Sequence, residues 1–148
     1  MIAVSYHARD RFGFPVFDGK VMLVVDDHRD SALFLSELLE FCGATVRTAS
    51  SAMDARRYLQ RRGPLISLVV CDLQMPRETG TNFVRWLRSQ PHDNATVPAV
   101  AVTAYPRDFL GAGDVRTFDA FFMKPIDAPD FLRAIETIMS RPRVLKSA

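Results

Sequence analysis

Carboxylates, a hydroxyl group and an ammonium group follow four separate apolar segments of this sequence. Asp26 and Asp27 follow one segment, and Asp72, Thr103 and Lys124 stand at the ends of three others. An apolar run that stops at a polar residue is typical of a buried strand ending at the rim of a sheet. In a parallel sheet with helices on both faces, such ends lie at one edge, where ligands bind. The pattern therefore predicts that these five side chains form one site.

Three carboxylates in one pocket repel one another, so the predicted site calls for a cation. Oxygen ligands without sulfur or imidazole favour Mg²⁺, or Mn²⁺ in its place. A lysine and a hydroxyl opposite the metal could hold phosphoryl oxygens. No glycine-rich phosphate loop accompanies them, so a nucleotide is not the obvious donor. The remaining option is that a carboxylate itself becomes phosphorylated, giving an aspartyl phosphate.

Five strands that alternate with five helices are predicted to position these residues. The strands are predicted at 21–25, 44–49, 65–71, 97–102 and 119–123, and the helices at 29–42, 51–62, 81–89, 107–114 and about 127–141. Continuous apolar strands need cover on both faces, so the class is α/β, with a doubly wound five-stranded parallel sheet between helices. Gly111 and Gly113 weaken the fourth helix, which we expect to be short or mobile and to form a partner face.

The length of 148 residues, with 48% hydrophobic and 24% charged residues, fits one globular domain. We assign residues 1–19 to an N-terminal extension of unknown role whose aromatics predict docking, 20–141 to the domain and 142–148 to a short C-terminal tail. The net charge of +2 gives no reason to expect nucleic-acid binding. No stretch suggests a membrane span or a secretory signal. Cys42 and Cys71 are interpreted as buried free thiols, which suits a cytoplasmic location.

The ordered set of motifs resembles the response-regulator receiver domain of two-component signalling. The matching features are the Asp26-Asp27 pair, the segment from Asp72 to Gly80, the Thr103-Ala104 pair and the Lys124-Pro125 pair. The resemblance covers about residues 20–140. It implies a flavodoxin-like sheet with strand order 2-1-3-4-5 and a chemotaxis-receiver-like, phosphorylated, cytoplasmic protein.

The resemblance also implies the roles of the site residues. Asp72 would be the phosphoacceptor, taking the phosphoryl group from a histidine on a sensor kinase or a histidine phosphotransfer protein. Mg²⁺ would be bound by Asp27, by Asp72 and by the backbone carbonyl of Gln74, while Asp26 would act through water. Lys124 would pair with Asp72 before transfer and with the phosphoryl group afterwards.

A switch and a phosphoryl lifetime are implied in the same way. Thr103 would bond a phosphoryl oxygen, and Phe121 stands where the family places its switch aromatic. Movement of both would change the face formed by the fourth and fifth strands and helices. Gln74 and Tyr105 occupy the positions that tune phosphoryl lifetime, and the bulk of Tyr105 predicts slow self-hydrolysis. The Lys124-Pro125 bond is often cis in this family.

Simpler interpretations exist for most of these residues. Asp26 and Asp27 could cap a helix, Thr103 could be an ordinary strand end, Lys124 a surface lysine and Phe121 plain core. His28, beside the acid pair, is interpreted as an exposed loop residue rather than a phosphohistidine.

The leading hypothesis is a stand-alone receiver that controls an unknown output protein. Only about eight residues follow the last predicted helix, so we expect no DNA-binding domain, and no membrane or nucleic-acid partner. It is not expected to be an enzyme beyond self-phosphotransfer and self-dephosphorylation. The alternatives are an interaction module that works without phosphate and an aspartyl-phosphate phosphatase. The Asp26-Asp27-His28 sequence does not match the Asp-x-Asp arrangement of those phosphatases. Homodimerisation on phosphorylation is left open.

Overall fold

Five parallel strands form the central sheet of the computed structural model, which describes residues 9–61 and 63–145. The strand order is β2-β1-β3-β4-β5, so the predicted fold class and strand order are confirmed. β1, β3 and β4 are almost entirely buried because each consists mainly of apolar residues covered on both faces. The strands are β1 (Val21–Val25), β2 (Thr45–Ala49), β3 (Leu68–Cys71), β4 (Ala99–Thr103) and β5 (Ala120–Met123).

Five α-helices pack on the two faces of the sheet, and three of them begin at a side-chain cap. Ser51, Thr79 and Asp127 each accept a hydrogen bond from the backbone N–H three residues later, which satisfies a donor that the first helical turn leaves free. The helices are α1 (Arg29–Phe41), α2 (Ala52–Gln60), α3 (Gly80–Arg88), α4 (Ala112–Thr117) and α5 (Ala128–Met139).

The sheet separates two apolar cores. One core joins the sheet to α2 and α3, with Phe83 and Leu87 fully buried in it. The other joins the sheet to α1 and α5 through residues such as Leu39, Phe131 and Ile135. Alternate residues of each strand enter opposite cores. Among the described residues, no helix is both long enough and apolar enough to span a membrane.

The predicted fourth helix, 107–114, is wrong in position. Residues 107–109 form a short 3-10 turn, and α4 begins only at Ala112. Gly111 takes the extended N-cap conformation, and its N–H donates to Asp114 Oδ2 at 2.9 Å. The helix therefore starts where an acidic side chain can cap it. None of the residues of α4 is buried, which leaves it the most weakly packed helix.

The third strand is shorter than predicted, because its first residues are bonded elsewhere. The N–H of Ile66 donates to Asn94 Oδ1 at 2.8 Å, and the Ile66 carbonyl accepts from Arg143 at 2.6 Å. Residues 93–96, which hold Asn94, form a 3-10 helix that the sequence pattern did not predict.

The described part of the N-terminal extension packs against the α1–α5 side. Phe17 is 3% exposed and belongs to that core, and its N–H donates to the Cys42 carbonyl at 2.6 Å. Arg9 forms an ion pair of 2.9 Å with Glu136 on α5. The extension therefore docks on the domain, although residues 1–8 lie outside the described part of the chain.

Candidate functional site

The register of β1 and β3 brings the first two acids together. Val25 pairs with Cys71, so Asp26 and Asp72 leave neighbouring parallel strands at the same height. The N–H of Asp72 donates to the Val25 carbonyl at 2.9 Å, which continues the ladder by one bond. Both carboxylates therefore stand at the carboxyl edge of the sheet, where the sequence places them.

Thr103, the last residue of β4, and Lys124, which follows β5, reach the same edge. Thr103 pairs with Met123, and the N–H of Lys124 donates to the Thr103 carbonyl at 2.8 Å. Lys124 Nζ donates to Asp26 Oδ2 at 2.9 Å and lies 3.8 Å from Asp72 Oδ2. The ammonium group thus stands between two acids and is closer to Asp26 than to Asp72. The bond between Lys124 and Pro125 is cis.

Asp72 is a buried acid with few compensating contacts. It is 4% exposed, and this burial is the main cause that raises its pKa above the ordinary value. Repulsion from Asp26 and Asp27 raises the pKa further, whereas Lys124 lowers it. A hydrogen bond from the Gln74 N–H to Asp72 Oδ1, at 3.3 Å, also lowers it. A carboxylate held this way is stabilised by any further positive charge that reaches it.

Asp27 and His28 complete the acidic pocket. The side chain of Asp27 is 24% exposed, yet its Oδ1 is buried and has no hydrogen-bond donor among the described residues. His28 Nδ1 lies 3.3 Å from that oxygen. Four residues each place one potential metal-ligating atom within 4.8 Å of the other three. They are Asp26, Asp27, His28 and Asp72. An oxygen-rich cluster with an unpartnered carboxylate oxygen suits a divalent cation.

Three further predicted residues, Thr103, Tyr105 and Phe121, lie on β4 and β5 or just after them. Thr103 is 3% exposed, and its Oγ1 accepts from the Tyr105 N–H at 3.1 Å. Phe121 is half-buried and packs edge-on against Phe118 at a centroid distance of 5.6 Å. Thr103, Tyr105 and Phe121 line one cavity of about 310 Å³, together with residues of the β5–α5 loop. The structure therefore places the hydroxyl and the aromatic next to the same space.

The loop from Asp72 to Gly80 is held by contacts outside the predicted site. A Cβ on Gly80 would lie 2.1 Å from the Asp72 carbonyl oxygen, so only glycine fits there without displacing the loop. Glu78 forms a two-point ion pair with Arg56 on α2. The guanidinium of Arg56 also lies 4.7 Å from the centre of the Trp86 ring. Arg56 thereby links the loop to both α2 and α3.

Two of these contacts were not predicted from the sequence. His28 was interpreted only as an exposed loop residue; its side chain is indeed 66% exposed, but Nδ1 faces the acids. Its position directly after Asp26-Asp27 was the available signal. Arg56 and Glu78 are 22 positions apart, and no local pattern links them.

Comparison with known proteins gives consistent matches. The family model of the response regulator receiver domain matches residues 22–136. An uncharacterized 14.6 kDa protein of Leptolyngbya boryana is 34% identical over 116 residues, which cover 78% of this chain and 86% of that protein. The polar-differentiation response regulator DivK of Brucella abortus is 27% identical over 126 residues, covering 81% and 96%. The solved receiver domain (CheY-like) of Methylobacillus flagellatus has 30% identity and a TM-score of 0.72, covering 80% of this chain and 98% of its own.

Proposed function

We propose that this chain, which belongs to the response regulator receiver domain family, accepts a phosphoryl group on Asp72 from a phosphohistidine. The donor would be a sensor histidine kinase or a histidine phosphotransfer protein. The observation that carries the proposal is the placement of a buried carboxylate, Asp72, beside Lys124 and within a set of further acids. We propose the cytoplasm as the compartment, since both cysteines are free and buried.

A divalent cation, Mg²⁺ or Mn²⁺, fits the acidic pocket. Asp27 has a buried oxygen without a hydrogen-bond donor in the described part of the chain, and the crowding of three carboxylates favours a positive ion. Asp27 and Asp72 would hold the ion with the Gln74 carbonyl, and Asp26 would contribute through water. When bound, the ion supplies charge neutralisation for the transferring phosphoryl group.

The transfer itself needs one carboxylate nucleophile and positive charge around it. An oxygen of Asp72 attacks phosphorus, the P–N bond of the phosphohistidine breaks, and the bond electrons leave with the imidazole nitrogen. Because such a transition state is loose and charge-rich, positioning and neutralisation dominate the rate. Lys124 moves from Asp26 and Asp72 to a phosphoryl oxygen, for which its flexible stem and three donors are suited.

Phosphorylation would then act on Thr103 and Phe121. The new phosphoryl oxygens are strong acceptors and would draw the Thr103 hydroxyl toward Asp72. Phe121 borders the same cavity as Thr103, so it could occupy space that Thr103 vacates. The face made by β4, α4, β5 and α5 would change its shape. The changed face would control binding to an output protein or formation of a homodimer. The weak packing of α4, which buries none of its residues, supports this element as the part that moves.

The phosphoryl lifetime would depend on Gln74 and Tyr105. Gln74 is exposed beside Asp72, and Tyr105 is 38% exposed with its ring 6.1 Å from that of Phe109. We propose that the Tyr105 ring shields the acyl phosphate from water. Tyr105→Ala should accelerate dephosphorylation, and an unchanged rate would contradict this part of the proposal.

Incubation with a small phosphodonor and Mg²⁺, followed by intact mass measurement, tests the proposed function. We expect one added phosphoryl group on the wild type and none on Asp72→Asn. When EDTA replaces Mg²⁺ during the incubation, the wild type should also remain unmodified. Wild-type protein that stays unmodified would favour an interaction module that works without phosphate. Undiminished modification of Asp72→Asn would place the acceptor elsewhere.

A further inference from the structure

We propose that His28 supplies a nitrogen ligand to the cation pocket and so raises its affinity for transition metals that favour imidazole, such as Ni²⁺. The inference rests on the proposed function, because it assumes that the acids of the pocket hold a divalent cation. It adds a fourth side chain and a different ligand chemistry to that pocket.

The distances from His28 Nδ1 to the carboxylates have the spacing of ligands around one ion. Nδ1 lies 3.4 Å from Asp26 Oδ1, 3.3 Å from Asp27 Oδ1 and 3.6 Å from Asp72 Oδ2. Two ligands bonded to one ion at about 2.1 Å, at octahedral or tetrahedral angles, lie about 3.0–3.4 Å apart. The nitrogen is therefore close to a coordinating position before any ion is added.

Neither helix capping nor core packing accounts for the orientation of the His28 ring. His28 is the N-cap residue of α1, but its side chain makes no capping hydrogen bond. Its backbone N–H, rather than the ring, donates to Asp26 Oδ1 at 2.8 Å. The ring is 66% exposed and not held in a core. What the ring faces is the three carboxylates, including the Asp27 oxygen that has no hydrogen-bond donor in the described chain.

Ligand chemistry determines what His28 would change. Mg²⁺ strongly favours oxygen ligands, so a nearby imidazole adds little to its binding. Ni²⁺, Zn²⁺ and Cu²⁺ bind imidazole well. A pocket of carboxylates plus one imidazole should therefore hold Ni²⁺ more tightly than the same pocket without His28. Because both ions would occupy the same acids, Ni²⁺ should also compete with Mg²⁺.

Calorimetric titration of the untagged full chain, stripped with EDTA and dialysed at pH 8, measures this directly. Ni²⁺ and Mg²⁺ are titrated separately into the wild type and into His28→Asn, Asp27→Asn, His7→Asn and His92→Asn. Loss of a direct ligand should cost at least the roughly 10–100-fold in affinity that loss of a ligand's supporting partner costs. We therefore expect His28→Asn to lose at least about tenfold in Ni²⁺ affinity, with Mg²⁺ affinity unchanged. The two other histidine substitutions should leave both affinities unchanged.

The outcomes separate this inference from the proposed function. Equal Ni²⁺ affinity of the wild type and His28→Asn, with Mg²⁺ still bound, would overturn only the role of His28. An equal loss of Ni²⁺ affinity in His92→Asn or His7→Asn would also overturn it, because the ion would then bind elsewhere. Wild-type protein that binds no Mg²⁺, or Mg²⁺ binding that survives Asp27→Asn, would overturn the cation pocket and this inference with it. Circular dichroism of His28→Asn checks that the exposed substitution leaves the fold intact.

Discussion

Lys124 Nζ donates a hydrogen bond of 2.9 Å to Asp26 Oδ2. The Asp26 side chain is 1% exposed and that of Lys124 is 20% exposed, so the pair is largely shielded from solvent. The separation from Asp72 Oδ2 is 3.8 Å, which makes Asp26 the main partner of the ammonium group. Lys124 thus neutralises a buried acid in addition to its proposed part in phosphoryl transfer.

Lys124→Met should destabilise the metal-free protein, because it leaves the Asp26 carboxylate buried without its partner. Removing one member of a buried pair is costly, and we expect a loss of roughly 3–5 kcal/mol in the free energy of unfolding. Adding Asp26→Asn to the same chain should restore a large share of that loss, since no unpaired charge remains at that position. Urea denaturation of the two single variants and the double variant measures the coupling. Strictly additive effects would show that the two groups do not depend on each other.

Asp72→Asn should stabilise the metal-free protein at neutral pH. Burial, with help from Asp26 and Asp27, raises the pKa of Asp72 in the folded protein, whereas an unfolded aspartate ionises near about 3.9. Between the two pKa values the unfolded chain has released a proton that the folded chain retains, so stability falls as pH rises through this window. Above the window the penalty is constant, so Asp72→Asn should be the more stable protein at pH 7.

The difference between wild type and Asp72→Asn should therefore shrink as the pH is lowered toward 4. Urea denaturation of both proteins in EDTA, from pH 4 to pH 8, measures this difference, and titrating groups that do not interact with Asp72 cancel in the comparison. A wild type that is the more stable protein at pH 7 without metal would contradict the assigned direction of the shift.

Arg56→Ala should loosen the loop that carries Gln74. Arg56 holds Glu78 through two nitrogens and stacks over Trp86, and such two-point ion pairs are stronger than single contacts. The side chains of Arg56 and Glu78 are 25% and 24% exposed. In a double-mutant cycle, we therefore expect an interaction free energy of about 1 kcal/mol between Arg56→Ala and Glu78→Gln.

The neighbouring Arg57 provides the matched control. It lies on the same helix and is exposed, so Arg57→Ala should change stability by less than about 0.5 kcal/mol. Phosphorylation by a small donor should slow in Arg56→Ala and not in Arg57→Ala. Arg56→Lys should restore only part of the rate, because lysine keeps the charge without the planar two-point contact.

The sheet and its acidic edge were predictable because both follow from short-range patterns. Apolar runs that stop at Asp26, Asp72, Thr103 and Lys124 fix which strand ends carry polar groups, and the parallel register then brings them together. The hydrogen bond from Lys124 to Asp26 was not predictable, because a 98-residue separation leaves the choice of partner to side-chain packing.

The misplaced fourth helix has a similar cause. Two glycines made residues 107–114 a weak helix by propensity, and the side chain of Asp114 decided where the helix begins. Asp114 also accepts a 2.6 Å hydrogen bond from Thr81 on α3. That contact joins the start of α4 to α3 and has no signature within the segment itself.

Gly80→Ala should damage the site from within the fold. The Cβ of the introduced alanine would approach the Asp72 carbonyl oxygen to 2.1 Å and Cys71 Sγ to 3.0 Å. The carbonyl oxygen belongs to the backbone, so it cannot move away as the end of a flexible side chain can. We expect a loss of about 1–3 kcal/mol, as for other overpacked positions, and slower phosphorylation by a small donor. Gly63→Ala is the control, because a Cβ there meets no described atom within 4 Å. Comparable effects of the two substitutions would mean that close packing at Gly80 is not the cause.

Phe17→Ala tests whether the N-terminal extension is part of the folded domain. Phe17 is 3% exposed within the core that joins α1 and α5 to the sheet, and its N–H bonds to the carbonyl that follows α1. Truncating a buried phenylalanine costs about 3–5 kcal/mol. The urea concentration at the midpoint of unfolding should therefore be much lower for Phe17→Ala than for the wild type. Phe12, 69% exposed on the same extension, gives the matched substitution Phe12→Ala, which should change the midpoint little. If both variants unfold like the wild type, the extension contributes nothing to stability, and the folded unit would begin near β1.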